Sequence, residues 1–533
     1  MAIGLDSRSF TKYIMAAIAA VCAGSALAAV EMGAPFTDGA VLQRGMKVPV
    51  WGKVGPGPLV FIKPKGSITP KKVKVEFAGQ TKVVDVGLDG KWRVDLDPME
   101  ASSESRTMKV TELEPGFFFD STVDSVEVKD VLVGEVWFAS GQSNMECPIW
   151  HPGNSRYRDG KGAMMTAMTH MPLVRFVKTP RVYGTPNRNP LKAKWLKFEP
   201  ESFQLKVDDC HWQLPSAVAW YYARELHVAL GVPVGIVDSS IGGTNIDAWT
   251  PREGYEGCDP SIKATAEWVP KFGKDWTKDC AKGVIGSQFQ QPTALFNAMV
   301  WDYAPMAMRG MIWYQGCHNN SESELYCAKM HALYNGWSRV FENPGLKLYF
   351  AQLAPWKTNW MGMCMAQDKF AAEEPNAAIA VTADVGNFDD IHPNDKETVA
   401  RRLLIHALKR DYGFDIPEDC SPTAKSLSVS GDVATVTFDH VQTWYVYNRD
   451  MSLGAPFEVA GTNGVWEAAE LVDCGKSFKP WQTLGLVDHP QLSLRSEKVK
   501  EPVMARYLGK DRTMGVMYNQ ASLPLGPFTI SLK

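Results

Sequence analysis

The chain has 533 residues, 45% of them hydrophobic, which is enough for two or three domains with cores of their own. Its 56 Lys and Arg nearly balance 59 Asp and Glu, for a net charge of −3. With both signs interspersed and no basic block, neither nucleic acid nor an acidic membrane surface is expected as a partner. Its 18 tryptophans point weakly to carbohydrate, because indole faces stack on sugars but also fill cores and domain seams.

The N-terminus reads as a signal peptide over residues 1–28. Arg8 and Lys12 supply positive charge, Ile14 to Ala23 a short apolar run, and Ala26-Leu27-Ala28 a small-residue cleavage site. No later stretch reaches the roughly twenty apolar residues of a membrane span. Val21 before Cys22 argues against a lipid anchor, so a secreted or periplasmic soluble product is expected. Of the ten cysteines, nine remain after that cleavage, an odd number in a compartment where disulfides persist. Cys258 with Cys280, and Cys317 with Cys327 or Cys364, are candidate pairs. No Cys-x-x-Cys occurs and the histidines do not fall at zinc-ligand intervals, so neither a metal nor another cofactor is expected.

Residues 29–130 carry short strand-type runs at Lys47 to Trp51, Lys72 to Phe77 and Trp92 to Leu96, broken by Gly55-Pro56-Gly57-Pro58 and Asp89-Gly90. They predict a β-sandwich. Residues 131–415 alternate apolar strands with helical periodicity. Strands are expected at Val133 to Phe138, Gly231 to Asp238, Met308 to Trp313, Leu346 to Leu353 and Ala377 to Val381, and helices at Ser216 to Leu230 and Lys396 to Tyr412. This α/β pattern predicts a mostly parallel sheet covered on both faces, with its loops gathered at one edge. Residues 416–533 return to short strands, for example Val433 to Phe438 and Phe528 to Leu532, and predict a second β-rich domain.

Four segments that follow strands hold the candidate chemistry. Ser143 lies just beyond Ser140-Gly141, in a nucleophile's position or as a helix cap. Gly242-Gly243-Thr244 offers backbone N–H groups beside a ligand, and Gln315 an amide for an oxyanion. In Asp389-Asp390-Ile391-His392, an imidazole has carboxylates close by to orient it as a general base. Together these are the parts of acyl transfer.

The blocks Gly141-Gln142-Ser143-Asn144-Met145-Glu146, Gly242-Gly243-Thr244, Trp313-Tyr314-Gln315-Gly316 and Asp390-Ile391-His392-Pro393 resemble the signatures of the sialate O-acetylesterase family, within the SGNH hydrolases. Val41-Leu42-Gln43-Arg44, Gln352-Leu353-Ala354-Pro355 and Tyr518-Asn519-Gln520 extend the likeness. The resemblance implies a flavodoxin-like SGNH hydrolase domain with flanking β-sandwich domains, acting without metal on O-acetyl esters of sugars. It implies Ser143 as nucleophile and His392 as base, oriented by Asp389 with Asp390 as the alternative. Ser143, Gly242 and Gly243 N–H groups and the Gln315 amide would form the oxyanion hole. Gln142, Asn144, Asn319 and Asp390 are candidates for substrate contact. The family has an acidic residue where this chain has Cys317, so the groups held by that acid must be held otherwise, a disulfide at Cys317 being one means. Acetylated xylan or xyloglucan is the alternative substrate, and a sugar-binding protein without turnover the reading outside enzymes.

Overall fold

The structure is a computed structural model describing residues 30–55, 60–62, 68–116, 119–149, 170–182, 191–199, 214–267, 290–446, 456–472, 485–487 and 489–532. The expected signal peptide and Cys22, Cys210, Cys280 and Cys474 lie outside these residues.

The fold is organised on one long strand, β1 (Ser121–Gly141). Its first half pairs antiparallel with Ser102–Glu114 in the N-terminal β region, and its last residues join the central sheet. The expected division at 130/131 therefore falls within a continuous strand. Asp130 sits there at φ 56, and the register with the neighbouring strand shifts between Val128 and Val131, which redirects the chain from one sheet into the other. The nearly buried Arg175 holds this bend: its Nη2 lies 2.9 Å from Asp130 Oδ1, and its Nη1 donates to Gly39 O at 2.7 Å.

The other central strands are β2 (Met171–Lys178), β3 (Leu196–Phe198), β4 (Val234–Ser240), β5 (Gly310–Tyr314), β6 (Lys347–Ala351) and β7 (Ala377–Ala380). They lie in the order β3-β2-β4-β1-β5-β6-β7, and every pairing except β2 with β3 is parallel. All seven residues of β4 are buried, as a parallel strand covered on both faces requires.

Five helices are used below: α1 (Ser143–Glu146), α2 (Ala217–Leu230), α3 (Ser323–Val340), α4 (Met361–Glu373) and α5 (Lys396–Arg410). Successive side chains of β1 point to opposite faces of the sheet. Trp137 packs on Tyr222 of α2 and on Tyr349, whose ring meets His406 of α5, whereas Phe138 packs edge-on against Trp337 of α3. Apart from β1, which begins at Ser121 instead of Val133, the expected strands and helices of this region form within a few residues of their predicted limits, with helices on both faces.

At the N-terminal side, Glu31–Met32, Val48–Lys53 and Lys91–Leu96 form one small antiparallel sheet, and Lys72–Phe77 and Gln80–Asp85 extend the sheet of β1. The C-terminal region has antiparallel sheets of seven and three strands. Its core takes in Val381 and Ala383 from just after β7, and Gly515 N–H donates to Ala383 O at 2.7 Å. The C-terminal region thus buttresses the start of the loop that carries His392.

Candidate active site

The four candidate loops meet at the C-terminal ends of β1, β4, β5 and β7, the edge where open α/β sheets bind ligands. Gly141 makes this possible for the first of them. Its φ is +142, and a Cβ there would stand 2.3 Å from Tyr314 O, so only glycine lets β1 end this close to β5. The turn is tied to both neighbours, with Gln142 N–H on Tyr314 O at 3.0 Å and Ile241 N–H on Gly141 O at 3.2 Å. Gln142, not Ser143, is the N-cap of α1, which leaves the Ser143 hydroxyl for other contacts.

Ser143 Oγ lies 2.9 Å from His392 Nε2. His392 Nδ1 lies 3.2 Å from Asp390 Oδ1, and the same oxygen accepts the His392 backbone N–H at 3.0 Å. The preference for Asp389 is therefore corrected: that side chain is 88% exposed and faces Arg512 at 3.5 Å, whereas the Asp390 side chain is 14% exposed. A spacing of three suits a helical turn, but this segment is a series of turns and bends in which an aspartate closes on the backbone N–H two residues on.

Two oxyanion candidates are corrected as well. Gly242 N–H donates to Glu146 Oε2 at 2.7 Å, and Glu146 in turn accepts from Arg181 Nε at 2.7 Å. Both hydrogens of the buried Gln315 amide are occupied, by Thr244 O at 3.0 Å and by Asn319 Oδ1 at 2.7 Å. The N–H groups of Ser143 and of the exposed Gly243 make no hydrogen bond among the described residues.

The expected substrate contacts are mostly internal struts. Asn319 is 1% exposed and links Ile246 N–H, Gln315 and Glu322. Gln142 Oε1 accepts from Gly316 N–H at 3.2 Å and His318 N–H at 3.3 Å. These bonds flank Cys317 and hold its loop to the turn before Ser143. The disulfide expectation is corrected too, since Cys258, Cys317, Cys327 and Cys364 carry free thiols. Burial pushes the Cys317 thiol up to about 12, with Lys396 opposing the rise.

Asn144 also faces inward. Its Nδ2 donates to Ile391 O at 3.2 Å, and its Oδ1 accepts from Lys396 Nζ at 2.6 Å. A chain of two hydrogen bonds thus runs from the first turn of α5, through the neighbour of Ser143, to the residue preceding His392. Burial pushes the Lys396 ammonium below the usual lysine range. Sequence reasoning missed this residue, although a signal existed: a lysine opening a helix capped by Asp395 opposes the helix dipole, a local conflict that marks a special site. Lys396→Met is expected to lower kcat by roughly 10- to 100-fold by loosening His392 over Ser143, with KM nearly unchanged. Steady-state kinetics on an acetate ester check this, and a wild-type kcat would mean that the loop holds itself.

Comparison with known proteins bears on what such a site does. Residues 275–407 match the family model described as carbohydrate esterase, sialic acid-specific acetylesterase. The sialate O-acetylesterase of Rattus norvegicus is 27% identical over 382 residues, 62% of this chain and 66% of the relative. That of Homo sapiens is 27% identical over 391 residues, covering 68% and 67% respectively. The chain is a relative of the sialate O-acetylesterases. It spans about two thirds of the length of these curated relatives. Among solved structures, a novel carbohydrate acetylesterase from Xanthomonas citri is similar, with TM-score 0.72 and 26% identity over 94% of this chain and 99% of that one. The residues that match the family model, 275–407, include Asp390, His392 and Lys396, while Ser143 lies before them.

Proposed function

We propose that this protein is a secreted carbohydrate esterase that removes O-acetyl groups from sialic acids through a serine acyl-enzyme. The observation that carries this reading is the line Ser143 Oγ, His392 Nε2, His392 Nδ1, Asp390 Oδ1, with contacts of 2.9 and 3.2 Å. An SGNH hydrolase domain of flavodoxin type fits the sheet. Setting aside β2 and its edge partner β3, the order β4-β1-β5-β6-β7 is the 2-1-3-4-5 order of that fold.

In the proposed reaction His392 Nε2 takes the Ser143 proton as Oγ attacks the acetyl carbonyl. Ser143 and Gly243 N–H groups receive the oxyanion, and losing one such donor typically costs about 100- to 1,000-fold in rate. His392 then protonates the departing sugar oxygen. Water, deprotonated by the same imidazole, attacks the acetyl-serine and releases acetate. Asp390 keeps Nδ1–H directed at itself, so that Nε2 presents its lone pair to Ser143.

Acetate release from O-acetylated mucin sialic acids, measured beside acetylated xylan, tests the proposal. Turnover of the sialic acids is expected. Release from xylan alone would assign the protein to plant polysaccharides, and release from neither would leave a sugar-binding protein.

A further inference from the structure

Away from Ser143, a second group of reactive side chains converges between α3 and α4. Cys327 and His331 are four residues apart on α3 and so leave the same face of the helix, and Glu373 reaches them from the end of α4. Cys327 Sγ donates to Glu373 Oε2 at 3.3 Å, and His331 Nε2 lies 3.0 Å from that same oxygen. The three ligand atoms all lie within 4.8 Å of one another.

These distances match a particular ion. Zinc binds thiolate at about 2.3 Å and imidazole or carboxylate at about 2.0–2.1 Å in a tetrahedron, so its S···O edge is about 3.5 Å and its N···O edge about 3.3 Å. The S···O and N···O separations fall two to three tenths of an ångström short of those edges and the sulfur and nitrogen lie within 4.8 Å of each other, so a small widening about the shared oxygen would admit the ion. The surroundings suit it as well. Lys369 Nζ lies 3.8 Å from Glu373 Oε1, which leaves Oε2 turned toward the thiol and the imidazole. Phe370 packs edge-on to the His331 ring at 4.8 Å and limits its rotation. Cys327 is buried, while His331 and Glu373 reach solvent, so an ion can enter and a water can complete the tetrahedron.

We infer that Cys327, His331 and Glu373 form a zinc site that clamps α3 to α4. Binding replaces the Cys327 thiol proton, which passes to solvent, with a Zn–S bond, and the imidazole lone pair and one carboxylate oxygen supply the other protein ligands. This revises the expectation of no metal. The Cys-x-x-x-His pair is too short a signal alone, and the third ligand lies 42 residues beyond His331 in the chain.

Cobalt(II) is the probe, because a thiolate ligand gives it a charge-transfer band in the near ultraviolet. The full chain, stripped with chelator, is expected to take up about one equivalent of Co(II) with that band, and Zn(II) to displace it. Cys327→Ser should abolish the band, and His331→Ala and Glu373→Gln should each weaken Co(II) binding by about tenfold or more. All three variants should retain esterase kinetics, so failure of the metal proposal is separable from failure of the esterase reading. Absence of the band in the wild-type chain, or its persistence in Cys327→Ser, would overturn the site. Because His331 and Glu373 are partly exposed, their variants keep the test decisive if the cysteine variant folds poorly.

Discussion

Ser143→Ala is expected to reduce kcat for acetate release by roughly four to six orders of magnitude, to the level left by binding and the oxyanion donors. The loss should come without unfolding. Gln142 caps α1, the Ser143 hydroxyl contacts His392, and truncation to alanine creates no buried cavity and removes no cap. A stability change within about 0.5 kcal/mol is therefore expected. Acetate release and the thermal midpoint, measured on the same preparation, check both parts. A variant that folds normally and keeps most of its esterase activity would remove Ser143 from the mechanism.

Two adjacent aspartates should respond very differently to the same substitution. Asp390→Asn replaces the acceptor 3.2 Å from His392 Nδ1 by an amide that can donate. The imidazole then favours the tautomer with Nε2 protonated, which cannot accept the serine proton, and kcat should fall by about 10,000-fold. Asp389→Asn alters an exposed carboxylate whose neighbour is Arg512 at 3.5 Å, and its kcat should stay near that of the parent. Kinetics of the two variants side by side decide the assignment, and the reverse ranking would return the orienting role to Asp389.

The contrast between these neighbours shows where sequence reading succeeds. Val234 to Val237 at the head of β4 and Gly310–Tyr314 were legible as strand because a short apolar run between turn residues has few other uses. Ala217–Leu230 was legible because it carries helix-spaced apolar residues between Ser216 and Gly231, although the fold buries the whole of its first half, Ala217 to Ala223. The glycine after β1 announced a tight turn, and Ser143 and His392, 249 residues apart, were singled out by chemistry alone before the fold brought them to 2.9 Å. Strand order was not legible, nor was the continuity of β1 through Asp130, because pairing between distant strands leaves no local pattern.

The amides show the limit most clearly. Gln315 and Gly242 have the right groups for an oxyanion, and composition cannot reveal that Thr244, Asn319 and Glu146 already occupy them. A hydrogen-bond donor has a chemistry fixed by its residue type but an availability fixed by its neighbours, most of which are remote in sequence. Periodicity and functional groups are local properties, so the kinds of elements, their order along the chain and the candidate reacting groups Ser143 and His392 could be read before any folding. Folding alone puts Asp390 beside the imidazole, sets Lys396 and Asn144 as braces of its loop, and brings Cys327, His331 and Glu373 together. Those are matters of distance between loops and helix faces, set to tenths of an ångström by packing across the sheet.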